Sequence, residues 1–159
     1  MDTLRRLAWG KIIAQAALAG LVGGILLDAY LWATTIEPAH GSLIALWQWI
    51  ASTLIGKAAL TSPAFAWLGL LVHFVTAMIW AGGYAYLAAT RPYMNRQWVV
   101  SGLLFGFVVF VFMQIVLLAA NNFTWPSSPL MFVDTIVAHM LFYGVPVAYV
   151  VARLDPPPA

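Results

Sequence analysis

The sequence predicts an all-α integral membrane protein: a bundle of four membrane-spanning helices with an additional amphipathic helix on the outer side between spans 1 and 2. Of the 159 residues, 64% are apolar and 8% are charged, whereas soluble domains average about 45–50% apolar and about 25% charged residues. The apolar residues form runs of the ~20 residues that a helix needs to cross a bilayer. These observations exclude an ordinary soluble enzyme, and the net charge of +2 is too small for a nucleic-acid-binding surface.

The first predicted span covers 12–34 and follows the basic residues Arg5, Arg6 and Lys11. This arrangement is similar to a secretory signal peptide. The apolar run, however, is longer than the roughly 7–15 residues of the apolar region of a signal peptide. We therefore expect a span that is retained in the protein.

The segment 42–60 is also long enough to cross a membrane, but its polar residues fall on one side of a helix. Gln48, Ser52 and Gly56 recur at a spacing of four residues, and large apolar side chains cover the remaining surface. Such a pattern is typical of an amphipathic helix that lies along the membrane interface or packs over a bundle.

Three further apolar runs predict spans at 64–89, 98–120 and 130–152. Proline-containing turns connect spans 2 and 3 and, at 121–129, spans 3 and 4. Proline ends a preceding helix and is favoured in the first turn of the next one. We expect a single transmembrane domain over 1–159.

The distribution of basic residues supports four spans. With the N-terminus in the cytoplasm, four spans leave only Lys57 on the outer side. The cytoplasmic side then receives Arg5, Arg6, Lys11, Arg91, Arg96 and Arg153. A fifth crossing at 42–60 would move the last three of these to the outer side, against the positive-inside rule. Both termini are therefore predicted to be cytoplasmic.

Small residues predict where the helices pack. Gly20, Gly24 and Asp28 follow one another at four-residue spacing in span 1, and Gly102 and Gly106 repeat the spacing in span 3. Glycines at this spacing let two membrane helices approach closely. The stripe also directs the Asp28 carboxylate toward a neighbouring helix.

Five polar residues define a predicted intramembrane cluster: Asp28, His73, Gln114, Asp134 and His139. His73 lies ten residues after Pro63 and His139 ten residues after Pro129. Both imidazoles are therefore expected at one depth, about 15 Å from the outer ends of their helices. We expect them to face the bundle interior, within reach of a common ligand or of each other through water.

Ionisable groups in a membrane span are costly and suggest a function, and three interpretations remain open. The cluster holds helices together by hydrogen bonds, or it handles protons or cations that arrive from outside. In the third interpretation, His73 and His139 are the axial ligands of a haem b, although no cofactor is predicted outright.

The residue types argue against catalysis and metal binding. The chain has no cysteine, which excludes disulfides, thiolate metal sites and iron–sulfur clusters. The histidines and carboxylates are scattered singly over several segments, whereas zinc needs three or four converging ligands. We identify no catalytic residues and no metal site, and the aromatic residues leave a bound carotenoid, quinone or lipid open.

Most of the chain resembles a group of small bacterial inner-membrane proteins with four predicted spans, described as YagU-like. The resembling stretches are AALAGLVGGILLDAY, WQWIASTLIGKAAL, LGLLVHFVTAMIWAGGYAYL, VVSGLLFGFVVFVFMQIVLL and VAHMLFYGVPVAYVVAR. The polar positions that carry the resemblance are Asp28, His73, Tyr84, Gln114 and His139, with Gln114 where the family pattern has Asn. The resemblance implies this fold and the bacterial inner membrane, and it implies no activity.

These observations together predict a non-enzymatic accessory or assembly subunit. Its expected partners are the lipid bilayer and other membrane subunits or further copies of itself. The alternatives are a small proton or cation pathway through Asp28, Asp134 and the histidines, or a membrane subunit that binds haem or a pigment.

Overall fold

The computed structural model describes residues 9–38, 40–120 and 129–155, and nearly all of these are helical, with no strand among them. Arg5, Arg6 and the predicted outer turn up to residue 128 lie outside the described residues. Five segments are long and apolar enough to cross a membrane: Trp9–Ile36, Leu43–Thr61, Pro63–Thr90, Trp98–Ala119 and Pro129–Leu154. The chain is therefore an all-helical membrane protein.

The helices α1 (Trp9–Leu31), α3 (Ala66–Thr90) and α5 (Trp98–Ala119) coincide with the first three predicted spans to within a few residues. The short α4 (Tyr93–Arg96) connects α3 to α5. The fourth predicted span consists of α6 (Pro129–Val137), a π-helical segment at Ala138–Gly144 and α7 (Val145–Leu154). These three segments follow one another directly, and together they are called the fourth helix, as distinct from the short α4.

The π-helical segment has an identifiable cause in the sequence. Pro146 has no N–H to donate to the carbonyl four residues before it. Immediately before the proline, the N–H of Val145 instead donates to the carbonyl of Met140, five residues back. This widened helix carries His139 and Tyr143. Such π-helical insertions are frequent at functional sites.

The segment 42–60, predicted as an amphipathic helix, is helical: it forms α2 (Leu43–Ile55), followed by a 3-10 helix at Gly56–Thr61. The Ser42 side chain caps α2 by accepting a hydrogen bond from the Ala45 N–H at 3.1 Å. At Gly56 the backbone has a φ of +65°, which glycine adopts without steric cost. The chain turns there, and the Gln48 side chain donates to the carbonyls of Ala59 and Ser62 at 3.2 and 2.9 Å. The 3-10 helix therefore lies beside α2 and does not extend it.

Glycines mark the closest approaches between helices. A methyl group added at Gly20 would lie 2.5 Å from the Met78 Cα, and one at Gly102 would lie 2.8 Å from the Gly144 carbonyl oxygen. A methyl group at Gly106 would overlap the carbonyl of His139, and one at Gly24 would meet the Phe74 ring at 2.9 Å. The four glycines predicted to mediate packing thus all lie against a neighbouring helix. Gly69 does the same for α2, where it faces the carbonyl of Trp47.

The two ends of the bundle differ in their packing. At one end, here called the Lys11 end, the Lys11 ammonium pairs with the Asp155 carboxylate at 2.5 Å, and the Asn95 amide donates to the Asp155 carbonyl at 3.0 Å. Small and aromatic residues fill the core between this end and the middle of the bundle. The most deeply buried among them are Ala19, Ala81, Tyr84, Ala85, Val147, Ala148 and Val151. At the opposite end, here called the α2 end, the helices enclose a cavity.

We predict that Gly106→Ala destabilises the protein by about 1–3 kcal/mol, because the methyl group forces α5 away from the π-helical segment. Gly83→Ala is a matched control, since nothing lies within 4 Å of a methyl group added there. Alanine also favours a helix over glycine by about 0.5–1 kcal/mol. Thermal denaturation in one detergent, followed by circular dichroism, measures both variants. Equal midpoints for the two would contradict the packing described here.

Candidate ligand-binding site

A cavity of about 370 Å³ lies at the α2 end, bounded by α1, α2, α3, α5 and the fourth helix. We call it the chamber. Most of its wall is apolar or aromatic and includes Leu27, Leu46, Trp49, Ile50, Trp80, Val109, Phe112 and Met113. Its polar wall residues are Asp28, Thr53, His73, Thr76, Gln114, Thr135, His139 and Tyr143.

The Asp28 carboxylate and the His73 imidazole lie next to each other at one side of the chamber. Asp28 is 8% exposed, and its Oδ1 lies 3.3 Å from the Nε2 of His73. The Trp47 indole of α2 also interacts with this carboxylate. Neither His73 Nε2 nor Trp47 Nε1 has a partner in hydrogen-bonding geometry within the described part of the chain. The His73 Nε2 and the Trp47 indole nitrogen thus lie near one carboxylate without completing hydrogen bonds to it within the described residues.

His139 has one ring nitrogen committed to its own helix. Its Nδ1 lies 2.8 Å from the carbonyl oxygen of Thr135. A carbonyl oxygen only accepts hydrogen bonds, so in the neutral imidazole Nδ1 carries the proton and Nε2 keeps a free lone pair. The Phe110 ring packs edge-on against the imidazole, with the ring centres 5.5 Å apart.

Three hydroxyl groups of the chamber wall also donate to backbone carbonyls. Thr53 donates to Ile50 at 2.7 Å, Thr135 to Met131 at 2.9 Å and Tyr143 to Ala77 at 2.6 Å. The Tyr143 bond joins the fourth helix to α3 at the floor of the chamber. Each of these hydroxyls has a single proton, so each can only accept a further hydrogen bond.

Asp134 does not join the chamber. Its Oδ1 accepts a hydrogen bond from the Tyr30 hydroxyl at 2.5 Å, and its Oδ2 accepts one from the Thr34 hydroxyl at 3.3 Å. The Tyr30 ring stacks on Phe142 with the ring centres 4.0 Å apart. This arrangement connects the end of α1 to the fourth helix and gives Asp134 a structural role.

Four of the five residues of the predicted cluster therefore line one cavity: Asp28, His73, Gln114 and His139. Both imidazoles lie on the chamber wall, as their matched depth leads one to expect. Sequence reasoning did not foresee the part of the wall that α2 supplies, including Trp49 and Thr53. Tyr143 was also missed as a wall residue, although it follows Thr135 and His139 at four-residue spacing.

The two predicted haem ligands, His73 and His139, differ in how well their surroundings prepare them to bind a metal. A histidine whose Nδ1–H donates to a carbonyl is well prepared to bind a metal through Nε2, and His139 has this arrangement. His73 directs its Nε2 toward Asp28 and would have to leave that carboxylate to bind iron. No group of three or more His, Asp or Glu residues in the described ranges is arranged to hold a metal ion.

No protein-family model matches the chain, and comparisons with curated proteins and with solved structures give no match. The resemblance to YagU-like proteins consequently stays a prediction.

We predict that Tyr30→Phe lowers the free energy of unfolding by about 1.5–3 kcal/mol, the usual value of a hydrogen bond to a charged group. Tyr149→Phe is the matched control, because the Tyr149 ring contacts Trp98 and Arg153 while its hydroxyl makes no observed hydrogen bond to the described part of the chain. Chemical denaturation in mixed micelles measures both variants. Identical stabilities for the two would show that the contact between Tyr30 and Asp134 contributes nothing.

Proposed function

We propose that this protein is a membrane-embedded binding protein whose chamber holds a small, mainly apolar molecule that carries a polar group. The single observation that carries the proposal is the chamber itself: a largely apolar, aromatic cavity with a few converging polar groups. Ligand sites in proteins have this composition and commonly enclose about 300–1,000 Å³. The chamber, at about 370 Å³, suits a compact ligand or the head of a longer one.

The polar groups of the chamber support binding over a purely structural role. Residues that only hold helices together satisfy one another's hydrogen bonds, as Tyr30, Thr34 and Asp134 do. On the chamber wall, the Nε2 of His73 is buried 3.3 Å from the Asp28 carboxylate without completing a hydrogen bond to any described residue. Buried polar groups in native proteins are nearly always satisfied, so an exception calls for an explanation.

A proton or cation pathway through Asp28 and the histidines is less well supported. A pathway must continue from the chamber to the Lys11 end. In the described residues that half of the core consists mainly of fully buried alanine, valine and tyrosine side chains. An ion there would have to leave polar surroundings for an apolar medium, which is very costly.

The proposal includes the membrane location and the topology of the chain. We place the protein in the bacterial inner membrane with four spans, cytoplasmic termini and α2 on the outer side. The shape of α2 supports this placement: its 13 residues extend about 20 Å, less than the ~30 Å of hydrocarbon, and the chain then turns back at Gly56. A non-enzymatic role as an accessory subunit is compatible with ligand binding, since many large apolar side chains face outward and could contact lipid or other subunits.

Cysteine labelling tests the topology, because the natural chain has no cysteine. We expect a membrane-impermeant maleimide added to spheroplasts to label Lys57→Cys and not Arg91→Cys. Lysis of the spheroplasts should then make Arg91→Cys reactive, which controls for its accessibility. Labelling of Arg91→Cys in intact spheroplasts would contradict the arrangement with four spans.

The binding proposal is tested with 4-bromoanisole, a small aromatic ether whose bromine quenches tryptophan fluorescence at contact distance. Two tryptophans of the chamber wall, Trp49 and Trp80, report occupancy. We expect saturable quenching in lipid nanodiscs that Thr76→Phe weakens about tenfold or more, because the larger side chain fills the chamber.

Val75→Phe is the matched control, since the neighbouring Val75 side chain is 45% exposed and lies outside the chamber wall. It introduces the same side chain on the outward face of α3 and should leave the quenching unchanged. Equal quenching in the natural protein and in both variants would place the ether in the lipid and overturn the proposed function.

A further inference from the structure

We infer that the ligand of the chamber is a neutral molecule with a hydroxyl group, such as a phenol, a hydroquinone or an alcohol, that donates a hydrogen bond to His139. This inference rests on the proposed function and specifies the chemical class of the ligand. It follows from counting which protons of the chamber wall are already in use.

Four of the eight polar wall residues have their side-chain protons committed to backbone carbonyls, whereas His73, Thr76 and Gln114 on the same wall have donor groups of their own. The hydroxyl protons of Thr53, Thr135 and Tyr143 are directed to backbone carbonyls at 2.7, 2.9 and 2.6 Å. The only ring proton of neutral His139 is directed to the Thr135 carbonyl at 2.8 Å. The oxygens of these hydroxyls and the Nε2 of His139 can therefore only accept. Asp28 adds a carboxylate, which also accepts.

A ligand that satisfies these acceptors must carry a hydrogen-bond donor. A ketone, an ether or a quinone carries only acceptors and would leave the Nε2 of His139 desolvated and unpaired, which is unfavourable. A hydroxyl group can donate to His139 and can accept from the Gln114 amide, which lies on the same wall and makes no observed hydrogen bond to the described residues. A hydroxyl is therefore the group that suits both neighbours.

The charge of the wall favours a neutral donor over an ammonium group. Asp28 is the one carboxylate that lines the chamber among the described residues, and it already faces His73 at 3.3 Å. The rest of the wall is mostly apolar, and burying an ammonium group in such surroundings without a dedicated counter-charge is costly.

The decisive experiment compares 4-bromophenol with 4-bromoanisole, which differ only in O–H against O–CH₃. Quenching of Trp49 and Trp80 in nanodiscs gives both affinities after correction for partition into empty nanodiscs. We expect 4-bromophenol to bind about tenfold more tightly than 4-bromoanisole, since a hydrogen bond that satisfies a buried acceptor raises the binding affinity by about a factor of ten.

The preference should depend on His139. In His139→Phe, which keeps a ring of similar size, we expect the two probes to bind within about twofold of each other. His40→Phe, which changes a histidine outside the chamber wall, should retain the preference. If the natural protein binds both probes equally and Thr76→Phe weakens both, the chamber binds ligands but the inference is wrong.

Other outcomes are equally clear. If neither probe responds to Thr76→Phe, the proposed function itself fails. Tighter binding of 4-bromobenzylammonium than of 4-bromophenol would overturn the choice of a neutral ligand.

Nitrogen-15 NMR of the histidine-labelled natural protein provides a test that needs no altered chamber. We expect the Nε2 resonance of His139 to be that of an unprotonated nitrogen and to shift on addition of 4-bromophenol but not of 4-bromoanisole. The His139→Phe spectrum assigns the resonance by its loss. A protonated Nε2 in the neutral ring would refute the inference directly.

Discussion

Polar groups among apolar membrane helices have no bulk water with which to form hydrogen bonds, so they form hydrogen bonds within the protein. Thr53, Thr135 and His139 each donate to a carbonyl three or four residues earlier in their own helix. Tyr143 donates across the bundle to Ala77. Because these protons are used within the protein, the groups that these four side chains still offer to a ligand are lone pairs. The same constraint that permits these residues in the bundle thus gives the chamber its accepting character.

Helix packing decides where that character can be used. Glycines at the crossings bring α1 against α3 and α5 against the fourth helix, at distances that a single methyl group would prevent. Toward the Lys11 end, alanine and valine side chains fill the remaining space. Toward the α2 end the wall residues include the larger Trp49, Trp80 and Phe112, and the helices enclose the cavity. The molecule is therefore closed at one end and hollow at the other, an asymmetry that suits a binding site better than a pathway.

The carboxylates Asp28 and Asp134 illustrate how similar residues acquire different roles. Asp134 is satisfied by the hydroxyls of Tyr30 and Thr34, so it contributes a link between helices. Asp28 lies beside two donors that do not complete hydrogen bonds with it. The first arrangement is complete without a ligand. The second leaves hydrogen-bonding groups unsatisfied on the wall of a cavity, where a bound molecule can form hydrogen bonds with them.

The sequence by itself determined the membrane class, the positions of the long helices and the glycines at their crossings. Each of these depends on local quantities: the length of an apolar run, and small residues repeated at the helical period. Counting residues along helices of constant rise also predicts one depth for His73 and His139, and both side chains line the chamber.

Only the tertiary structure decided which polar residues share a cavity. Asp28 and Asp134 are similar in the sequence, yet the rotation of each helix about its axis directs one to the chamber and the other to Tyr30. That rotation depends on packing against neighbouring helices. The π-helical segment before Pro146 further changes the angular position of the residues after it, relative to that of Asp134 before it. The part of the wall that α2 supplies follows from the turn at Gly56 and from the contact of Trp47 with Gly69. Contacts between residues distant in the chain have no periodic signature in the sequence, so they emerge only when the helices pack.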